Sequence, residues 1–261
     1  MLNPTLRLLS LPSFTRKAFR WIATGMCIVF LSGCQGMLFS PSRSQVRIID
    51  VSPDAPEIDV YQNSSAIAYR LAFGTITSYV PIDPGAYTTT ATISGTRQTL
   101  ASSKATFATA GQYTVLIGNF SAGLQQAMFK DQNKPAPPGQ IALRFINQTT
   151  RVNAVDIYVV PSGQKISRVK PVATNSRFGI NAGYINVPAG TYTLIMEPAG
   201  TTPTSDTEAA YSGAQITYAS GSASTVVLVD QPNLSSGPGL QVILAPDYVP
   251  STSTDSNESF R

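Results

Sequence analysis

The segment at residues 46–61, VRIIDVSPDAPEIDVY, is written a second time at residues 143–159 as LRFINQTTRVNAVDIYV. Arg47 answers to Arg144, Asp59 to Asp156 and Tyr61 to Tyr158, all at a constant offset of 97 residues. A self-match of this length means two similar structural units in tandem, and 261 residues leave room for two. Later landmarks keep their order. Tyr79 recurs as Tyr184, PGAYT of 84–88 as PAGTYT of 188–193, and Leu124-Gln125 as Leu240-Gln241, where the offset has reached 116. AGQYTVL of 110–116 returns in the degraded form SGSASTVV of 220–227. Insertions between landmarks explain the growing offset, because loops tolerate them.

Short runs rich in Val, Ile, Thr and Tyr fill both copies, separated by Gly, Pro and Asn turn signals, and only 12% of residues are charged. This pattern predicts an all-β protein of two tandem antiparallel β-sandwiches. The first repeat is expected over 45–131, a Pro-rich linker over 132–139, the second repeat over 140–248, and a polar, disordered tail over 249–261. Residues 226–229 are apolar on both faces, as expected of a central strand covered on each side. Gly85 and Gly190 precede Tyr87 and Tyr192 by two residues, a turn followed by a ring on the core whose hydroxyl is free to cap the backbone.

The amino-terminal region has a different character. Residues 1–20 are polar to basic and residues 21–31, WIATGMCIVFL, form an apolar run too short to span a bilayer. The run ends in Leu31-Ser32-Gly33-Cys34, which resembles a bacterial lipobox. That resemblance implies a lipoprotein signal peptide over 1–33, cleavage between Gly33 and Cys34, lipidation of Cys34 with palmitate-type chains, and a tether over 34–44. Gln35, where an Asp would favour retention at the inner membrane, points to the outer membrane in a host that has one. A basic Thr15-Arg16-Lys17-Ala18-Phe19 is only loosely like a twin-arginine signal, since the second Arg is missing.

The formal charge of +4 belongs to this leader, because Arg7, Arg16, Lys17 and Arg20 precede every acid in the chain. From Cys34 onward 14 cations face 14 acids, which removes any electrostatic argument for nucleic acid. There is no His, and the two cysteines, Cys27 and Cys34, both lie in the leader region. The usual general base, the usual metal ligand and a disulfide framework are therefore all missing from the repeats.

Taken together, the Arg-led strand, Ser52-Pro53-Asp54-Ala55-Pro56, Asp59-Val60-Tyr61, Gly85 with Tyr87, and Gly111 with Tyr113-Thr114-Val115 resemble a bacterial family, the domain of unknown function numbered 4397. The likeness covers about 45–133 and, more weakly, 141–247. It implies an immunoglobulin- or prealbumin-like sandwich, secreted or surface-attached, with no established activity. The family pattern carries a His in its first strand where this chain has Asp50 and, in the second copy, Asn147. The second copy also replaces SPDAP by Gln148-Thr149-Thr150-Arg151-Val152.

Few residue clusters suggest chemistry. Arg47 with Asp59 and Arg144 with Asp156 recur as pairs, which reads as a cross-strand ion pair fixing the opening hairpin of each repeat. Asp50, Asp54, Glu57 and Asp59 crowd a turn, and a hard cation such as calcium wants several such oxygens. EF-hand spacing and a Gly at the bend are missing, so solvated turn acids are expected, with no metal and no cofactor. Ser103-Lys104 and Ser167 near Lys170 are chance neighbours in a Ser-rich chain, and no G-x-S-x-G occurs. Tyr61, Tyr79, Tyr87, Tyr113, Tyr158, Tyr184 and Tyr192 could form a sugar platform, although their recurrence in both copies favours core and corner roles. The expectation is a non-enzymatic outer-membrane lipoprotein, anchored through Cys34, acting as a structural or interaction module with an envelope protein or polysaccharide partner. The alternative is a module that binds a glycan or a peptidoglycan fragment.

Overall fold

The computed structural model describes residues 42–204, 209–232 and 239–251. The expected signal peptide, Gly33 and Cys34, most of the tether and nearly all of the tail lie outside the described residues. The first repeat lays down β1 (Ser44–Asp50), β2 (Ile58–Gln62), β3 (Ser65–Leu71), β4 (Val80–Ile82), β5 (Gly85–Ile93), β6 (Thr99–Phe107), β7 (Gln112–Gly118) and β8 (Gln125–Lys130). The second answers with β9 (Gln140–Asn147), β10 (Val155–Pro161), β11 (Ala173–Ser176), β12 (Asn181–Pro188), β13 (Gly190–Pro198), β14 (Tyr211–Tyr218), β15 (Ala223–Asp230) and β16 (Leu240–Tyr248). A 3-10 turn, Ile166–Arg168, sits in the long β10–β11 connection. Among the described residues no helix is long and apolar enough to cross a membrane.

Each repeat is a sandwich of two four-stranded sheets, ordered β4-β1-β7-β8 and β3-β2-β5-β6 in the first, and β12-β9-β15-β16 and β11-β10-β13-β14 in the second. The protein is all-β, as the strand pattern predicts, with one departure from purely antiparallel pairing. β1 runs parallel to β7, with Arg47 opposite Thr114, and β9 runs parallel to β15, with Arg144 opposite Thr225. The first strand of a repeat thus finds its register on a strand far along the chain, and no hairpin dictates it.

Alternation along β1 explains the packing. Val46 and Ile48 enter the first repeat's own core with Ile58, Val60, Phe107 and Val115. Ile49 and Val51 point the other way and pack with Leu116 against Val227, Val229 and Ile243 of the second repeat. The sheets containing β1 and β9 are therefore inner layers, buried on both faces, and the four sheets stack in sequence. That is why residues 226–229 are apolar throughout: Val226 and Leu228 fill the second core, while Val227 and Val229 meet the first repeat. At the close of β7, a Cβ on Gly118 would come within 2.9 Å of both Val51 and the Gln148 side chain of the other repeat, so only glycine fits. Both repeats lie in one compact unit, Pro41–Arg261.

Candidate functional site

The strongest concentration of buried polar chemistry lies between the inner sheets. Arg47 and Arg144 are each only 2% exposed. Neither touches the Asp twelve residues ahead of it in its own repeat. Arg47 donates from Nη2 to Asp247 Oδ1 and from Nη1 to the Pro246 carbonyl at 2.6 Å. Arg144 donates from Nη2 to Asp131 Oδ1 at 2.5 Å and from Nη1 to the Lys130 carbonyl at 2.9 Å. Each guanidinium therefore reaches the carboxylate that closes the other repeat.

Within a repeat the carboxylate is held from its second oxygen. Asp131 Oδ2 accepts from Tyr79 at 2.8 Å and Thr114 at 2.6 Å, and Asp247 Oδ2 accepts from Tyr184 and Thr225, both at 2.8 Å. The tyrosine rings lie against the guanidiniums, 4.7 Å from Arg47 to the Tyr79 centroid and 4.8 Å from Arg144 to that of Tyr184. Burial drives both phenols to ionise well above the ordinary tyrosine range, so they act here as neutral donors. Burial also pushes the Asp247 carboxyl up, against the downward pull of Arg47. The set is a closed, charge-balanced network with a pseudo-two-fold arrangement, and its chemistry is spent on joining the repeats.

The expected Arg47–Asp59 and Arg144–Asp156 pairs are thus corrected. β1 and β2 lie in opposite sheets of the sandwich, because the Pro-bearing turn at 52–56 carries the chain across instead of folding it into a hairpin. Asp59 faces outward and accepts backbone N–H bonds from Arg70 at 2.9 Å and Gly95 at 3.1 Å. Asp156 does the same for Asn175 at 2.7 Å and Gly200 at 2.9 Å. Burial raises the Asp59 carboxyl, but these bonds with the Ser94 hydroxyl and the Arg70 charge outweigh it and hold it below the usual range.

The four acids weighed for calcium are each engaged by protein donors. Asp50 caps Ser52 N, Asp54 holds the 121 loop through Ser121 N at 2.8 Å, Glu57 pairs with Arg70 at 2.9 Å, and Asp59 is engaged as above. They do not converge on one point.

The tyrosines also disperse. Tyr87 and Tyr192 cap the Asp83 and Pro188 carbonyls, Tyr113 accepts from Ala108 N, and Tyr158 is buried. Only Tyr61 faces outward with room above it. It meets Tyr69 edge to face, with ring centroids 6.5 Å apart and planes at 84°. Tyr69, which the repeat pattern does not single out, is 65% exposed. The two rings line a hollow of about 690 Å³ with Asp59, Arg70, Gly95 and Arg97.

The model of the family described as domain of unknown function (DUF4397) matches residues 44–158. By that match residues 44–158 form a DUF4397 domain. The match runs through the first repeat and on to Tyr158 in β10, so the first repeat is its main part. Both DUF4397 positions that replace the pattern's first-strand His, Asp50 and Asn147, fold back onto the backbone two residues ahead. No curated protein matches this chain. Among solved structures it is similar to the Bacillus anthracis TIE protein, at 11% identity over 78% of this chain and 44% of that one, with a TM-score of 0.22. A streptococcal virulence factor described for alpha-glucan binding gives 8% identity over 80% and 100% of the two chains, with a TM-score of 0.26. A leucine-rich repeat protein from Bacteroides thetaiotaomicron gives 13% identity over 71% and 26%, with a TM-score of 0.18. The chain thus spans less than half of the first and third of these, and superpositions this loose carry no argument about its function.

Proposed function

We propose that this chain is a non-enzymatic, lipid-anchored module of the bacterial cell envelope. Cys34 holds it on the outer membrane, and the outer face of its first repeat is presented to a partner. The observation that carries this reading is how the polar groups are used. The buried Arg, Asp and Tyr residues are consumed in fastening one repeat to the other, while Tyr61 and Tyr69 stand at an open face. A charge-balanced cluster that saturates its own acceptors has no group free for proton transfer or nucleophilic attack. The lipobox-like Leu31-Ser32-Gly33-Cys34 and the neutral balance of charge beyond it support anchoring through lipid rather than through electrostatics.

The test has two arms. Acyl labelling and membrane fractionation of wild type beside Cys34→Ala should show label and outer-membrane location lost together. A mutant that still fractionates with the membrane rules out the anchor. A photo-cross-linker at position 69, activated in intact cells, should trap an envelope component, and a blank result there with a normal anchor rules out the interaction face.

A further inference from the structure

The two repeats can be compared position by position on their outer faces, because strand register aligns them. Tyr61 stands opposite Thr90, and its counterpart Tyr158 stands opposite Ile195. One step along the same strands, Asn63 corresponds to Val160 at the offset of 97. In the second repeat, Tyr158, Val160 and Ile195 are buried under the chain's own cover, Ile166 and Val169 from the β10–β11 connection together with Ala209. The first repeat has no such connection. β2 turns into β3 through Asn63 and Ser64 alone, and its outer face stays open.

The residues change with the cover. Where the covered face carries Val160 and Ile195, the open face carries Asn63 and Thr90, and Thr90 shares a 3.4 Å hydroxyl contact with Ser102. An apolar peptide would want the aliphatic surface that the second repeat keeps. The first repeat offers hydroxyls and an amide beside two aromatic rings, with an Arg70–Glu57 pair at 2.9 Å on the rim. At the far end of β2 and β5 a second hollow of about 440 Å³ is lined by Asn63, Thr88, Lys104 and Thr106. The two hollows mark both ends of one strand-length face. Rings that are apolar in the middle and ringed by hydrogen-bonding groups suit a ligand with apolar C–H faces and polar hydroxyl edges.

We infer that the outer face of the first repeat, from Tyr69 and Tyr61 across Thr90 to Asn63, binds a glycan chain. A pyranose ring stacks on Tyr69, and its hydroxyls bond to Arg70, Glu57 and the Thr90–Ser102 row. This rests on the interaction-module reading above and adds the ligand class.

Affinity electrophoresis of the full chain in detergent tests it, with soluble peptidoglycan fragments, dextran and alginate as the probes in the gel. At least one probe should retard the wild type. Tyr69→Ala removes an exposed ring and Thr90→Ile installs the residue of the covered repeat, and each should weaken that retardation by about tenfold or more. Tyr158→Phe, under the cover of the second repeat, should leave it unchanged. Circular dichroism melts of the variants separate binding loss from unfolding. No retardation by any of the three probes overturns the inference, as does retardation that persists in both Tyr69→Ala and Thr90→Ile. A protein trapped by the cross-linker at position 69, without glycan retardation, would keep the interaction module and sink the glycan.

Discussion

At the end of each repeat's first strand a short side chain folds back on its own backbone, Asp50 Oδ1 accepting from Ser52 N at 3.0 Å and Asn147 Oδ1 from Thr149 N at 2.8 Å. The second atom of each group separates them. Asn147 Nδ2 donates to the Ser176 carbonyl at 3.0 Å, whereas Asp50 Oδ2 is buried without a hydrogen-bond partner. Burial pushes the Asp50 carboxyl up to about 6, with only the Ser52 bond opposing it. A carboxyl whose folded value lies above its unfolded one binds protons more tightly in the folded state. The stability it carries is complete below about pH 4 and is lost as pH rises through 6. Asp50→Asn should therefore match wild type in urea unfolding near pH 4 and exceed it by about 3 kcal/mol near pH 8. An equal difference at both values would mean that the gain is not protonic. A second site makes the same contrast between repeats. Gln62 and Thr89 stand opposite each other inside the first core, with the Gln62 amide atoms and the Thr89 hydroxyl unpartnered, where the second core pairs Val159 with Leu194. Replacing both, Gln62→Leu with Thr89→Val, should stabilise the fold by about 1–3 kcal/mol, because unmet polar groups are removed with little change of shape. Calorimetric melting checks it.

At the scale of single strands, the edge strand of each outer sheet bends at a residue in the left-handed region, Arg70 at φ 51° and Asn175 at φ 53°, and that residue's N–H is taken by Asp59 or Asp156. Asn accepts this conformation readily and Arg does not. Arg70→Asn should raise the melting temperature by about 2–4 °C, while removing one rim group of the open face; an unchanged or lower value would show that the Arg70 side chain contributes more than its backbone costs. The all-β character was legible, since β-branched runs between Gly and Pro turns mark strands such as β1, β2, β7 and β15. The pairing of β1 was not. VRIID reads as one arm of a hairpin with IDVY, yet β1 is an inner strand between β4 and β7. The choice is made by β7, with Arg47 set against Thr114 and Ile48 against Val115, contacts that local sequence does not encode. Arg47 amid Val46, Ile48 and Ile49 was nonetheless a signal, because a strand apolar on both sides has no solvent face for a guanidinium to occupy.

At the scale of the whole molecule, the inter-repeat cluster was half written in the sequence. Tyr79 and Tyr184, Arg47 and Arg144, and Asp131 and Asp247 all sit at offsets that the landmarks already share. The repeat pattern shows that each repeat owns one Arg and one closing Asp, but it does not reveal that they exchange partners, because an exchange depends on how two finished sandwiches dock. The docking makes a residue of one repeat part of the stability of the other. Asp247→Ala takes from Arg47 its hydrogen-bonded carboxylate and leaves only Asp131 Oδ2 at 4.0 Å, a class of change that costs about 3–5 kcal/mol. The loss should appear in the first repeat, since Arg47 also holds Thr114 and faces Tyr79. Amide hydrogen exchange is the measurement to make. In the variant, amides of β1 and β7 should exchange faster than in wild type, in step with those of β15 and β16, because a shared network opens as one unit. Exchange that quickens in β15 and β16 alone would mean that the repeats open independently and that the cluster aligns them without joining their stabilities. Asp131→Ala gives the reciprocal check, with Arg144 as the stranded cation and the second repeat as the place to look for faster exchange. A network built on two-fold exchange should respond alike from either side.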